Sequence, residues 1–135
     1  MDHLKVAAKV EFLDEVLRFA DGFLEKNQCP RKEKMQIRLA IEETFVNVAS
    51  YAYVPSEGDV EIFMDITEAP HGVMVKVLDS GRPFDPVAKE DSDTSEEALM
   101  AREGGLGILL VKSMMDEVRY AFENGKNILT MVKKL

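Results

Sequence analysis

Residues 60–67 alternate between apolar and polar side chains, and this alternation constrains the fold more than any other feature of the sequence. One face carries Val60, Ile62, Met64 and Ile66. A period of two predicts a β-strand with one buried face. A second apolar stretch, Val73–Leu78, follows the Ala69–Gly72 segment, so the two strands are predicted to form a hairpin.

The rest of the chain divides into helices and strands around this hairpin. Apolar residues at helical spacing predict helices over Glu11–Lys26, Arg31 to about Tyr53, and Leu106–Asp116. Further strands are predicted over Leu4–Ala8, Glu117–Phe122 and Asn127–Lys133, the last two joined by a turn at Glu123–Lys126. The pattern predicts an α/β (α+β) two-layer sandwich, in which helices cover one face of a mixed, mostly antiparallel sheet.

Composition limits the classes of function. The chain has 135 residues, of which 46% are hydrophobic, which suits one domain spanning residues 1–135. Its formal net charge of −8 disfavours binding to nucleic acid or to an anionic membrane. Cys29 is the only cysteine and excludes an intramolecular disulfide, while two separated histidines, His3 and His71, make a zinc site improbable. No apolar run reaches membrane-spanning length and the first residues are unlike a signal peptide, so a cytoplasmic location is expected.

Two pairs of residues suggest chemistry. Glu43 and Asn47 are four residues apart on the second helix and share a face, where a carboxylate and an amide can serve as a base and a metal ligand. The alternative is an ordinary solvated face. Asp79 ends a strand and is followed by Gly81, a pattern that can present a carboxylate to a base edge but also occurs in plain Asp turns.

The strongest single signal is the run Gly104-Gly105-Leu106-Gly107 before an apolar helix. Glycines at a helix N-terminus let backbone N–H groups approach a phosphate, although a flexible hinge would have the same composition. The chain lacks the Gly-Lys-Ser/Thr of a Walker A motif. The polar, acidic segment Val87–Glu103 before this run is predicted to be a mobile lid, with at most a short helix. In order, these features describe a Mg²⁺–nucleotide site.

Three segments resemble the nucleotide-binding boxes of the histidine-kinase-like (GHKL) ATPase superfamily, which includes sensor kinases, DNA gyrase and MutL. They are Leu39–Asn47, Val77–Pro86 and Glu103–Val118. The short length and the Met-Met-Asp-Glu-Val ending of the third segment resemble one branch, the bacterial anti-sigma factor serine/threonine-protein kinases. The resemblance extends from about Val10 to Lys134 and implies the Bergerat fold.

The resemblance implies roles for individual residues. By position, Glu43 is similar to the family's general base, Asn47 to its Mg²⁺ ligand, and Asp79 to the carboxylate that accepts from the adenine amino group. Gly81 would permit the turn beneath the base. The phosphate-binding turn corresponds to Gly104, Gly105, Leu106 and Gly107.

Three positions depart from the family pattern. Tyr51 stands where members often have His, four residues after the Asn. Gly125-Lys126-Asn127 replaces a Gly-Thr turn, which leaves Asn127 as the candidate for contact with the nucleotide on the last strand. Arg102 precedes the glycine turn at an offset one residue different from that of the kinases, and it is a candidate for the γ-phosphate or a solvated lid residue.

The resemblance implies an ATP-binding anti-sigma regulatory factor with Mg²⁺-dependent serine kinase activity. Its expected partners are ATP or ADP, a sigma factor and an anti-sigma factor antagonist, and a homodimer is expected. The alternative is a non-catalytic ATP-binding module that switches partners. The ATPase half of a sensor kinase is less favoured, because no helix with a phospho-accepting histidine precedes the domain in this sequence.

Overall fold

A computed structural model describes residues 1–53, 56–83 and 107–135. The elements in chain order are β1 (Asp2–Ala7), α1 (Leu13–Lys26), α2 (Arg31–Asn47), β2 (Asp59–Glu68), β3 (His71–Asp79), α3 (Gly107–Met114), β4 (Glu117–Glu123) and β5 (Lys126–Lys134). A single 3-10 turn, Val10–Phe12, precedes α1, and a π-helical turn, Val48–Ala52, follows α2. The stretches 54–55 and 84–106, which include the whole of the predicted lid, lie outside the described residues.

The five strands form one sheet in the order β1-β2-β3-β5-β4. Every strand pair in the described residues is antiparallel, so the parallel pairing that a mixed sheet would include does not occur there. The register aligns the valines of β3 with the apolar positions of β2 on one face. The apolar side chains of residues 60–67 therefore share one face of the strand, as their alternation predicts.

Helices α1, α2 and α3 pack on this apolar face and complete the second layer. The core contains fully buried side chains from both layers, among them Leu24, Ile37, Ile41, Phe45, Ile62, Met64, Val75, Val111 and Met131. Burial of these side chains is the main stabilising contribution, because each removes apolar surface from water. The two-layer α+β sandwich is confirmed.

Two hairpin turns of the sheet are shorter than predicted. The loop between β4 and β5 is shorter than the predicted four residues, with Asn124 (φ 53°) and Gly125 (φ 77°) at its centre. Positive φ at both central residues is the requirement of a tight hairpin turn that matches strand twist, and Asn-Gly meets it. The β2–β3 connection is likewise reduced to Ala69 and Pro70, because both strands extend beyond their predicted ends.

The second helix departs from the prediction. It was expected to continue to about Tyr53, but regular α-helix ends at Asn47 and gives way to the π-helical turn. The wide apolar arc of this segment is compatible with either helix type, so periodicity alone does not mark the change. Among the described helices, none is long and apolar enough to cross a membrane.

Candidate functional site

Helix α2 presents Glu43 and Asn47 one turn apart. Residues i and i+4 of a helix lie on the same face, and here both side chains are half-buried. The opposite side of α2 is anchored in the core through Ile37, Ile41 and Phe45, none of which is exposed to solvent. Neither Glu43 nor Asn47 makes a hydrogen bond or ion pair within the described part of the chain. The carboxylate and the amide are thus held by a helix anchored in the core, and no described side chain engages them.

The π-helical turn that follows Asn47 brings the end of this helix against the turn after β3. The carbonyl oxygen of Ala52 accepts a hydrogen bond from the backbone N–H of Arg82 at 3.2 Å. Single π-helical turns inside α-helices occur frequently at functional sites, where they redirect backbone groups. Here the turn connects the helix of Glu43 and Asn47 to the segment that carries Asp79 and Gly81.

Gly81 is required by this close approach. A Cβ atom at position 81 would lie 2.3 Å from the Ala52 carbonyl oxygen and 2.7 Å from its carbon. Contacts under 3.0 Å with backbone atoms cannot be relieved by a side-chain rotation, so any larger residue would push the turn away from the helix. The predicted role of Gly81 as a turn-forming residue therefore has a steric cause in this structure.

Asp79 is the last residue of β3, and its side chain is only 7% exposed. Its Oδ1 accepts a hydrogen bond from the backbone N–H of Gly81 at 2.9 Å and another from Asn127 Nδ2 at 2.9 Å. Within the described residues, its other oxygen, Oδ2, accepts none. Buried polar groups are normally hydrogen-bonded, and two donors on one oxygen fix the orientation of the whole carboxylate.

Tyr53 directly follows the π-helical turn, and its side chain also contacts the turn after β3. Its hydroxyl accepts from the backbone N–H of Ser80 at 2.7 Å and donates to the carbonyl of Asp59 at 2.5 Å. The ring lies on Gly58, where a Cβ would be 2.1 Å from a ring carbon. Burial raises the pKa of Tyr53 above its ordinary value, partly offset by the hydrogen bond from Ser80. The phenol is therefore protonated at neutral pH and can donate as well as accept.

Asn127, predicted as a nucleotide contact, lies directly opposite Asp79 in the β3–β5 register and is also buried. Its Nδ2 donates to Asp79 and to the carbonyls of Arg82 at 3.0 Å and Gly81 at 3.4 Å. Beside it, Lys126 Nζ is 3.3 Å from the Ser80 hydroxyl oxygen. The structure therefore brings Asn127 to the Asp79 turn, where its amide contacts protein atoms.

The glycine cluster is described only at its end. Gly107 is the first residue of α3, and α3 packs against α2. Arg102, Gly104, Gly105 and Leu106, together with the predicted lid at Val87–Glu103, lie outside the described residues.

The donor set fits a magnesium ion that is held mainly by phosphates. In residues 1–53, 56–83 and 107–135, no group of three or more His, Cys, Asp or Glu side chains is arranged to hold a metal. Mg²⁺ is commonly bound by one or two protein oxygens together with nucleotide phosphates and water. The amide oxygen of Asn47, on a fixed helix and not engaged by described side chains, suits that mode.

Sequence reasoning missed Tyr53, Tyr120 and Ser80. Tyrosine is a common strand and helix-end residue, so Tyr120 and Tyr53 carry no signal that separates them from packing residues. Their partners, Asn127 and Ser80, become identifiable only when the sheet register and the docking of the π-helical turn are known.

Two curated serine-protein kinases are similar to this chain in sequence. The chain is 25% identical over 130 residues to a serine-protein kinase, RsbW, of Listeria monocytogenes, covering 93% of this chain and 82% of the relative. It is 26% identical over 131 residues to the serine-protein kinase RsbW of Staphylococcus aureus, covering 93% of this chain and 81% of the relative.

Solved structures share the fold. A chain of the SiaB–SiaC complex of Pseudomonas aeruginosa superposes with a TM-score of 0.67 at 17% identity, over 96% of this chain and 88% of that chain. The RsbU and RsbW domains of a Mycobacterium tuberculosis protein give a TM-score of 0.63 at 16% identity, over 100% of this chain and 33% of that one. A model of the histidine kinase-like ATPase domain matches residues 6–133. The chain therefore belongs to the histidine kinase-like ATPase domain family.

Proposed function

We propose that this protein binds Mg²⁺–ATP and phosphorylates a serine of an anti-sigma factor antagonist, and that it also binds a sigma factor as an anti-sigma regulatory factor. The observation that carries the proposal is the docking of the buried Asp79 turn against the end of the helix that presents Glu43 and Asn47. Serine-protein kinases among the relatives, and a relative of similar fold solved in complex with a second protein, support it.

Each residue has a defined task in this proposal. Asp79 accepts a hydrogen bond from the amino group of adenine through Oδ2, which accepts none from the described residues, and Gly81 keeps the turn close to the helix. The proposed phosphate-binding residues are Gly104, Gly105, Leu106 and Gly107, of which the last begins α3, where backbone N–H groups can bind an anion. Residues 87–103 act as the lid, and Arg102 serves the γ-phosphate.

Glu43 is the proposed general base, because a carboxylate near the γ-phosphate can take the proton of the attacking serine hydroxyl. Asn47 would hold Mg²⁺, which neutralises charge that develops on the phosphates during transfer. The protein's own contribution is otherwise positioning, since phosphoryl transfer needs alignment of the attacking oxygen more than covalent catalysis. Location in the cytoplasm, ADP binding after transfer, and pairing of two chains as a homodimer belong to the same proposal.

The test is incubation of the purified chain with radiolabelled ATP, Mg²⁺ and a candidate antagonist encoded by the same genome. Label on an antagonist serine, abolished by chelation of Mg²⁺, is the expected result. ATP binding without transfer to any antagonist would instead identify a non-catalytic ATP-binding module that switches partners. If calorimetry detects no nucleotide binding at millimolar concentration, the proposal fails in both forms.

A further inference from the structure

Three neighbouring strands contribute one side chain each to a connected set of hydrogen bonds beside the helices. Asp79 of β3 is paired with Asn127 of β5, and Tyr120 of β4 lies diagonally across from Asn127, since it pairs with Leu129. Alternation along the strands puts all three side chains on the helix-covered face. Asp79 and Asn127 are each 7% exposed.

The bonds have a fixed direction. The hydroxyl of Tyr120 donates to Asn127 Oδ1, and Asn127 Nδ2 donates to Asp79 Oδ1 at 2.9 Å. The same Nδ2 also lies within hydrogen-bond distance of the Arg82 and Gly81 carbonyls. An amide nitrogen has only two hydrogens, so these three acceptors occupy it fully. Asn127 is thus a donor to the protein rather than to a bound base.

Tyr120 holds the oxygen end of the Asn127 amide, while the Asp79 carboxylate and two backbone carbonyls hold its nitrogen end. A phenol hydroxyl that donates must meet the amide oxygen, and this leaves the NH₂ group toward Asp79. Without that donor the amide oxygen would lose a hydrogen-bond partner, and the side chain of Asn127 would be less restrained at the oxygen end. The orientation of Asp79 therefore depends on a residue two strands away.

Resting on the proposed ATP binding, we propose that Tyr120 and Asn127 are positioning residues that aim Asp79, so that its Oδ2 alone reads the exocyclic group of the purine. Oδ1 is occupied by Gly81 N–H and by Asn127, and among the described residues Oδ2 has no donor. This geometry selects a base that offers a hydrogen-bond donor at its 6-position. Adenine has an amino group there, whereas hypoxanthine has a carbonyl that would face the carboxylate unpaired.

The test compares the dissociation constants of ATP and inosine triphosphate by calorimetry. The wild type is expected to prefer ATP by roughly 10²-fold, because mismatched polar groups are costly in a buried site. Tyr120→Phe keeps the ring and removes the hydroxyl, and should weaken ATP binding by about 3- to 10-fold while inosine triphosphate binding changes by less than about twofold. A merely structural role would weaken both nucleotides equally.

A pair of variants of equal shape provides the control. Asn127→Thr keeps a donor for Asp79, whereas Asn127→Val has the same shape and no donor. Thr should retain most of the preference for ATP, and Val should lose it, with thermal unfolding used to check that both variants fold. Adding Tyr120→Phe to Asn127→Val should have no further effect on the preference, because the two residues act through one bond.

The outcomes separate this inference from the proposed function. A wild-type protein that binds no ATP overturns the proposed function. A wild-type protein that prefers ATP, with an unchanged preference in Tyr120→Phe and in Asn127→Val, overturns only the positioning role.

Discussion

Glu43 and Glu42 are adjacent carboxylates on α2, and the geometry of the helix places them on different faces. Glu43 shares a face with Asn47, whereas Glu42 lies about 100° away around the helix. Glu43→Gln keeps the size of the side chain and removes the base, so serine phosphorylation should fall roughly 10²- to 10⁴-fold while ATP still binds. Glu42→Gln is the matched control and should leave transfer nearly unchanged. Full transfer by Glu43→Gln would rule out its role as the base.

Substitution of Asn47 should weaken the binding of Mg²⁺–ATP rather than remove the group that accepts the proton. Asn47→Ala removes the amide oxygen proposed to hold Mg²⁺, and most of the Mg²⁺-dependent part of ATP affinity should disappear. Calorimetric titrations with and without Mg²⁺ give that difference directly. If Mg²⁺ strengthens ATP binding to Asn47→Ala as much as to the wild type, the ion is held by other residues.

At the scale of the elements, one methyl group added at Gly81 tests the contact between the π-helical turn and the Asp79 turn. In Gly81→Ala, the new Cβ would approach the Ala52 carbonyl oxygen to 2.3 Å, so the two segments must separate. We expect a loss of about 1–3 kcal/mol in the free energy of unfolding, as for other overpacked positions, and a marked loss of ATP affinity. Chemical denaturation and calorimetry measure the two effects.

Gly22 provides the control for that substitution. It lies within α1, and a Cβ there would meet no other atom within 4 Å. Gly22→Ala should raise the free energy of unfolding by about 0.5–1 kcal/mol through helix propensity without changing ATP affinity. Equal behaviour of the two variants would show that the Gly81 contact has no special importance.

The side chain of Tyr53 also links the end of the π-helical turn to the Asp79 turn. Tyr53→Phe removes the acceptor for Ser80 N–H and the donor to the Asp59 carbonyl. Since Ser80 is exposed, water can replace the lost partner, and the free energy of unfolding should fall by only about 0.5–1.5 kcal/mol. ATP affinity should fall several-fold because the Asp79 turn is less restrained. Tyr51→Phe, two residues earlier and within the π-helical turn, is the matched control, and equal ATP affinities in the two variants would contradict the restraining role.

The same elements show what the sequence can and cannot predict. The Asn124-Gly125 turn and the alternation of β2 depend on neighbouring residues, so they are readable from the sequence. The end of α2 at Asn47 depends on the docking of a turn more than thirty residues later in the chain, which no local pattern encodes. Likewise the shared helical face of Glu43 and Asn47 and the position of Asp79 at a strand end are readable from the sequence, whereas the partners that orient Asp79 require the strand order β3-β5-β4.

At the scale of the whole molecule, we predict a homodimer that uses the region around β1. This strand lies at the edge of the sheet, and edge strands expose backbone groups that can pair with another chain. Apolar side chains are exposed just before and just after it, at Met1 (68%) and Val10 (54%). Light scattering at tens of micromolar should give the mass of two chains.

Substitutions at two side chains of similar exposure, Val10 and Met35, test where that interface lies. Val10→Glu places a charge beside β1 and should convert the dimer to a monomer, because an unpaired charge is costly to bury. Met35→Glu alters a side chain of α2 that is 61% exposed, and it should leave the dimer intact. A wild-type protein with the mass of one chain would contradict pairing altogether. A dimer lost in Met35→Glu but kept in Val10→Glu would assign the interface to α2 instead of the edge of the sheet.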